Sequence, residues 1–276
     1  MNEILTLNCP AKLNLNLIIL GKRDDGLHNI SSIFQLIDLS DVMTIKKSGL
    51  KSQSIIVNSD KSLNNENNIV SKVIDSLELH SQKKIFCDIR IEKNIPIGGG
   101  MGGGSSNAAA ALVGINSLFN LNIPINTLRK IGKGLGADIP FFLYGHNALA
   151  EGIGDKLSFV KPSTKKYLVI TPNICSSTKE MFELLDKHRN AGKQEKIQEN
   201  QNSFLIPFLD RFKEVSYVYP SLQEIYPLSL SGTGSTLFYA YDDFSKIEKS
   251  LKKIPTKWRH SFCEPLQCSP LLTYLT

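Results

Sequence analysis

A chain of 276 residues that is 41% hydrophobic and 21% charged is long enough to bury one large core or two ordinary ones, and its composition excludes a disordered polymer. Its five cysteines, Cys9, Cys87, Cys175, Cys263 and Cys268, include no C-x-x-C pair, which argues against a disulfide framework or structural zinc and predicts small buried hydrophobes. The net charge of +6 suits anionic small-molecule substrates without selecting one.

In chain order, Leu13, Leu15, Leu17 and Ile19 alternate with polar residues, the period of a half-buried strand that would set Lys12, Asn14 and Asn16 on one face. The interrupting asparagines deny this stretch the unbroken apolar run of a secretory leader, and no run approaches the ~18 residues of a membrane helix, so neither membrane association nor export is expected and the predicted location is cytoplasmic. Ile69, Val70, Val73, Ile74 and Leu77 have helical spacing, and Ile85 to Ile91 alternates again. A glycine-rich loop follows, then a helix through Ala108 to Phe119 and a second helix over Asn126 to Leu135. Around Phe159 to Lys166 the composition turns to Pro, Ser, Thr and Lys, which predicts a boundary between domains spanning 1–160 and 161–276. Beyond it, Tyr167 to Thr171 reads as a strand, Lys187 to Asn202 as a loop or exposed helix, and "SLSGTGSTLFYAY" as strand, tight turn, strand. The basic tract Lys246, Lys249, Lys252, Lys253, Lys257, Arg259 has only Trp258 interleaved, so it predicts a solvated helix face and no nucleic-acid partner.

The stretch "PIGGGMGGGSSNAAAAL", Pro96 to Leu112, puts six glycines into the seven positions Gly98 to Gly104. Bare backbone lets a ligand approach main-chain N–H groups closely. Ser105, Ser106 and Asn107 are good helix N-caps, so the loop ends at the positive pole of a helix, where a phosphate is favoured. A Walker A loop needs Lys directly after its last glycine, and Ser105 stands there. Gly98, Gly100 and Gly103 match G-x-G-x-x-G, but no Asp or Glu occurs between Glu92 and Asp138 to hold a dinucleotide's ribose. A triphosphate suits this carboxylate-free segment better. Asp138, in the apolar context "GADIPFF", reads either as a general base for a hydroxyl or as a cap at the Gly136 turn. Lys12 alone reads as a solvated strand residue.

Seven segments in order, "PAKLNL" (Pro10 to Leu15), "GLH" (Gly26 to His28), the glycine stretch, "GADIPFFLYG" (Gly136 to Gly145), "AEGIGD" (Ala150 to Asp155), "LSGTGS" (Leu230 to Ser235) and "SPL" (Ser269 to Leu271), resemble the GHMP kinases over nearly the whole chain. Within them the likeness is greatest to the branch acting on a cytidine diphosphate of methylerythritol in the non-mevalonate route to isoprenoid precursors. The resemblance implies an α/β (α+β) fold of two domains, a ribosomal-protein-S5-like N-terminal one and a ferredoxin-like C-terminal one, with the active site in the cleft between them. It implies an ATP-dependent kinase that phosphorylates the 2-hydroxyl of the methylerythritol unit, with Mg²⁺ bridging phosphate oxygens and reaching a serine hydroxyl. Asp138 would be the catalytic base and Lys12 its partner. Pro96, Ile97, Gly98, Gly99, Gly100, Met101, Gly102, Gly103, Gly104, Ser105 and Ser106 would hold the triphosphate, with Asn67 and Lys93 near the nucleotide base. Asn14 and His28 would hold the cytidine by hydrogen bonds, Phe182 would stack on cytosine, and Thr178 would close the cleft with the Gly232 to Gly234 turn. The family's usual aromatic before that histidine is Leu27 here, which puts base selectivity in question. Other readings are a GHMP kinase acting on homoserine or a mevalonate derivative, and a non-catalytic nucleotide-binding module.

Overall fold

The structure, a computed structural model, describes residues 3–58, 62, 64, 68–190 and 202–275. Among the described residues, seven strands form one sheet organised by the 20-residue β3 (His28–Lys47). β1 (Ile4–Asn14), β2 (Ile18–Lys22), β5 (Cys87–Glu92) and β6 (Ala148–Gly152) all pair antiparallel with β3, while β4 (Ser54–Val57) runs parallel to β5 and β7 (Lys156–Phe159) extends β6. The expected strand through Leu13 to Ile19 is thus two strands. Asn16 accounts for the break, since its Oδ1 accepts the Ile33 N–H at 2.7 Å and Ser32 Oγ donates to its carbonyl, a side-chain bond that competes with the ladder.

Helices α1 (Ile69–Ser81), α2 (Gly103–Leu118), α3 (Ile125–Leu135) and α4 (Ile139–Tyr144) accompany this sheet. α2 is buried nearly all round from Ser106 to Ile115, as a helix sandwiched in a core must be. Its alanines let it lie close to the sheet, and a Cβ on Gly114 would come within 2.6 Å of Leu7 and 2.8 Å of Ile45. Leu7, Phe34, Met43 and Ile45 from the sheet, Val70, Val73, Ile74 and Leu77 from α1, and Phe141 and Phe142 from α4 complete this core, each large side chain contributing roughly 1.5–3 kcal/mol by burial.

The second sheet has four antiparallel strands among the described residues, in the order β11 (Arg259–Cys263), β8 (Lys166–Thr171), β10 (Leu237–Tyr241), β9 (Leu228–Leu230). Its first strand lies between its fourth and third, the ferredoxin-like arrangement. Helices α5 (Thr178–Asn190), α6 (Leu205–Arg211) and α7 (Lys213–Gln223) fill the first crossover and build a second core with Leu168, Ile170 and Tyr239. Of the predicted Lys187 to Asn202 stretch, residues 187–190 end α5, and 191–201 lie outside the described residues.

The other crossover corrects an expectation. The basic tract lies not on a helix face but along 3₁₀ turns at Phe244–Lys246 and Glu248–Lys252 and the strand after them. Asp243 caps the first turn, and the Ser250 hydroxyl donates to the Ile247 carbonyl at 2.6 Å, competing with an α-helical ladder. The lysines are exposed, while Trp258 is buried and donates to Glu214 at 2.9 Å, and the exposed Phe244 and Phe262 pack on each other with ring centroids 5.7 Å apart.

A third apolar cluster, with Ala11 and Leu13 from β1, Met101 from the glycine loop, Tyr167 and Val169 from β8, and Phe238 from β10, joins the two sheets. The chain changes sheet between β7 and β8, yet its end returns, and Leu271 and Leu275 enter the first core. Cys9, Cys87 and Cys263 are buried as expected, but Cys268 is half-buried and Cys175 exposed, because Cys175 lies in the loop beside Gly98 rather than in a core. No described helix is long and apolar enough to cross a membrane.

Candidate active site

The glycine loop is held from below by a buried carboxylate. Asp41, wholly inaccessible, accepts the backbone N–H groups of Asn94 and Ile95, both at 2.8 Å, and the Asn107 amide at 3.0 Å, and it pairs with Lys93. Four donors satisfy one buried charge. They also fix the angle at which the chain leaves β5 for the loop, and they hold Lys93 at the cavity wall instead of leaving it on a surface strand end.

The loop itself is gripped from both sheets. The Lys12 N–H donates to the Met101 carbonyl at 3.0 Å, the Thr236 N–H to that of Gly99 at 3.1 Å, and Ser231 Oγ to that of Gly100 at 3.1 Å. A Cβ on Gly100 would lie 2.5 Å from the Ser231 carbonyl oxygen, so backbone packs directly on backbone there. Gly102 sits at φ +71°, caps α2, and would place a Cβ 2.9 Å from the Phe142 ring. Gly104 is different: a Cβ there would meet nothing within 4 Å. That open space belongs to the cavity, at the point where the first N–H groups of a 16-residue helix have no intrahelical acceptor.

The cavity has a volume of about 1010 Å³ and lies between the two sheets. It is lined by Lys12, Asn14, His28, Lys93, every residue from Pro96 to Ser105, Asp138, Thr178 and Phe182. Of the other predicted residues, Ser106 is turned away from it and buried in α2 with its Oγ unpartnered, since one further helical step points its side chain inward, and Asn67 lies outside the described residues. The adjacent Asn68 does line the cavity, and its Oδ1 caps α1 by accepting the Val70 N–H at 3.0 Å.

At the cavity floor, Lys12 Nζ stands 3.4 Å from Asp138 Oδ2 and donates to Asn14 Oδ1 at 2.6 Å, while Asn14 Nδ2 donates to Ser32 at 2.8 Å. Asp138 occupies the N-cap position of α4 but its side chain caps nothing. The capping alternative is thereby removed.

At the opposite end, the His28 ring stacks on Phe182 with centroids 4.7 Å apart and 27° between planes, and its Nε2 lies 2.8 Å from Asp186 Oδ1. Lys22 donates to Asp186 Oδ2 at 2.7 Å. Burial raises the Asp186 carboxyl, but the bonds from Lys22 and His28 outweigh it and hold the group below the usual carboxylate range. Leu27 lines the same end at about half exposure, and Thr178 meets Thr233 at 3.3 Å. Asp186, Lys22, Lys133 and Asp155 in this lining escaped sequence reading. Asp186 follows Phe182 by one helical turn, the single signal by which it was findable.

Residues 68–146 match the GHMP kinases N terminal domain. The chain is 36% identical over 268 residues to the 4-diphosphocytidyl-2-C-methyl-D-erythritol kinase of Pasteurella multocida (strain Pm70), covering 95% of this chain and 90% of that one. It is 33% identical over 284 residues to the enzyme of the same name from Colwellia psychrerythraea (strain 34H / ATCC BAA-681), covering 100% and 94%. The chain belongs to the 4-diphosphocytidyl-2-C-methyl-D-erythritol kinase family. A crystal structure of 4-(cytidine 5'-diphospho)-2C-methyl-D-erythritol kinase superposes on the fold with a TM-score of 0.73 at 22% identity, over 94% of this chain and 99% of that chain. In this family member the glycine cradle, with open space at Gly104 in front of a helix N-terminus, fits a nucleotide's phosphates. Among the described residues no three His, Cys, Asp or Glu cluster as a metal cage, and a Mg²⁺ held mainly by phosphate oxygens needs none.

Proposed function

We infer that this protein is an ATP-dependent kinase that phosphorylates the 2-hydroxyl of 4-diphosphocytidyl-2-C-methyl-D-erythritol, in the cytoplasm, on the non-mevalonate route to isoprenoid precursors. The observation that carries the reading is the Lys12–Asp138 pair, at 3.4 Å, in the cavity that the glycine loop also lines, in a chain whose full-length relatives bear that enzyme's name.

Phosphoryl transfer needs the hydroxyl and γ-phosphate in line, stabilisation of the transferring oxygens, and a destination for the hydroxyl proton. The backbone from Gly98 to Gly104 and the start of α2 hold the triphosphate, with Lys93 and Asn68 at the cavity wall beside it. Asp138 Oδ takes the proton from the acceptor hydroxyl. Lys12 faces that carboxylate and stabilises charge growing on the attacking oxygen, and Asn14 keeps the ammonium in place. Mg²⁺, when bound with the nucleotide, would supply charge neutralisation for the phosphoryl oxygens, and Ser105, which lines the cavity, would contribute its hydroxyl. His28, Phe182, Leu27 and Thr178 form the end that receives the cytidine. Residues 1–160 form the N-terminal domain, which holds the triphosphate and also supplies Asn14, Leu27 and His28 to the acceptor end, and 161–276 the C-terminal domain, which supplies Thr178 and Phe182, a division supported by the change of sheet after β7.

The test is incubation with ATP and the cytidine diphosphate methylerythritol acceptor, read by product mass. An acceptor heavier by one phosphoryl group, with ADP, supports the reading. Turnover of homoserine or mevalonate instead, or ATP bound and never consumed with any acceptor, overturns it.

A further inference from the structure

Five lysines line the cavity, and four of them already face an anion. Lys12 stands 3.4 Å from Asp138, Lys22 meets Asp186 at 2.7 Å, Lys133 meets Asp155 at 2.7 Å, and Lys93 pairs with Asp41. Lys179, exposed in the first turn of α5, has no carboxylate partner among the described residues. Glu183 follows it at the i,i+4 spacing that permits a pair on a helix, yet the two make none. We propose that Lys179 binds the diphosphate of the acceptor, so that this site selects a nucleoside diphosphate over a monophosphate. The inference rests on the function proposed above and deepens it, naming a residue for the group that joins the nucleoside to the methylerythritol.

Its place along α5 supports the assignment. Thr178, Lys179, Phe182, Glu183 and Asp186 recur at helical spacing and make one wall of the cavity. Phe182 stands at the end assigned to the nucleoside. Thr178, one turn earlier, meets Thr233 at 3.3 Å, in the turn whose Gly232 and Gly234 pack against Gly100 of the glycine loop. A Cβ on Gly232 would also lie 3.4 Å from Asn14 Oδ1, the atom that receives Lys12, so this turn borders the reacting centre as well. The wall therefore leads from the nucleoside end toward Lys12 and Asp138, advancing about 5.4 Å per turn of helix. An acceptor laid along it, nucleoside at Phe182 and hydroxyl at Asp138, carries its diphosphate past the first turn of α5. The charges agree with the placement. A lysine already paired with a carboxylate must share or surrender that partner to take a phosphate, whereas the Lys179 ammonium gains a charge-assisted bond and gives up only water.

The experiment titrates CDP and CMP by calorimetry with the triphosphate site filled by a non-hydrolysable ATP analogue. It also measures KM for ATP and for the acceptor, in the wild type, Lys179→Met, Lys179→Arg and Lys252→Met. The wild type is expected to bind CDP at least about tenfold more tightly than CMP. Lys179→Met should lose most of that margin and raise acceptor KM about tenfold, the loss of one hydrogen bond to a charged group. Its kcat and ATP KM should stay near wild type, because the diphosphate is held alike in ground and transition states. Lys179→Arg keeps the charge and should keep the margin. Lys252, exposed in the basic tract, is the control: Lys252→Met removes the same net charge from another surface and should change none of these values. An unchanged CDP/CMP ratio in Lys179→Met overturns the proposal, as does a wild type that binds CMP as well as CDP, a rise in ATP KM in place of acceptor KM, or an equal loss in Lys252→Met. CDP preferred over CMP through Lys179, in a protein that phosphorylates no cytidine acceptor, would count against the proposed function and for this assignment.

Discussion

Lys12 Nζ stands 3.4 Å from Asp138 Oδ2 and 4.4 Å above the centre of the Phe34 ring, so an almost fully buried ammonium faces a carboxylate whose side chain remains one-third exposed. The cation is locked and the anion can reach a ligand. Replacing Asp138 with Asn keeps the shape but removes the proton acceptor. Turnover should fall by ~10²–10⁴-fold with ATP affinity retained. Steady-state kinetics with calorimetry checks this, and a kcat within about threefold of wild type, far below that range, would place the base elsewhere.

The glycine loop offers a substitution that separates binding from folding. Val at Gly102 would be forced to positive φ and into Phe142, so it should lower thermal stability. Val at Gly104 meets open space, at a helical position where its propensity is better than glycine's by about a few tenths of a kcal/mol. Gly104→Val should melt like wild type and lose at least about tenfold in ATP affinity, or ~1.4 kcal/mol. Undiminished ATP affinity in that folded variant would rule out phosphate contact at this turn.

Leu27 and Phe182 can be tested as walls for the base. Leu27 is half exposed, so Leu27→Tyr leaves the core alone and should lower acceptor KM, base–aromatic stacking being worth ~1–3 kcal/mol. Phe182→Ala should raise it, by removing a wall and also the support beneath His28. The changes belong in KM rather than kcat because the base is held equally in ground and transition states. If neither variant moves the acceptor KM, the base does not bind at this end.

Far from the cavity, Glu78 predicts a pH effect on stability. Its burial raises the carboxyl, but the Ile85 N–H at 2.8 Å, the Lys84 ammonium and the Gln53 amide together hold it below its ordinary value. A depressed folded-state pKa gives stability that is present above the unfolded-state value, about 4.3, and is lost as pH falls through the folded-state one. Glu78→Gln should therefore cost about 1 kcal/mol at pH 7, and the gap from wild type should close in acid. Chemical denaturation at both pH values measures it; a gap that stays constant would show that the charge is irrelevant.

Much of this molecule was legible in the chain because periodicity and punctuation act locally. The spacing of Val70, Val73, Ile74 and Leu77 is α1, and the run after the glycines is α2. What escaped depends on partners distant in sequence. Asn16 breaks a strand only because Ile33 and Ser32 lie across from it. Asp41 matters through Asn94, Ile95 and Asn107, more than fifty positions on, and Asp186 through Lys22 and His28. A carboxylate's sequence neighbours do not reveal which cation the fold will bring to it. Ser106 went astray for a simpler reason, since adjacent helical residues point about 100° apart and one of two adjacent serines must turn away from the ligand.

The contact of Gly100 with the Ser231 and Gly234 carbonyls, and of Gly232 with the Gly100 carbonyl, makes the two halves of the molecule share one backbone joint. A kinase built this way is a poor modular kit. Grafting the C-terminal domain of another family member onto this N-terminal one transplants whatever side chains it brings to the cavity, but the hybrid inherits a working phosphate cradle only if the incoming turn has bare backbone where Gly232 now stands.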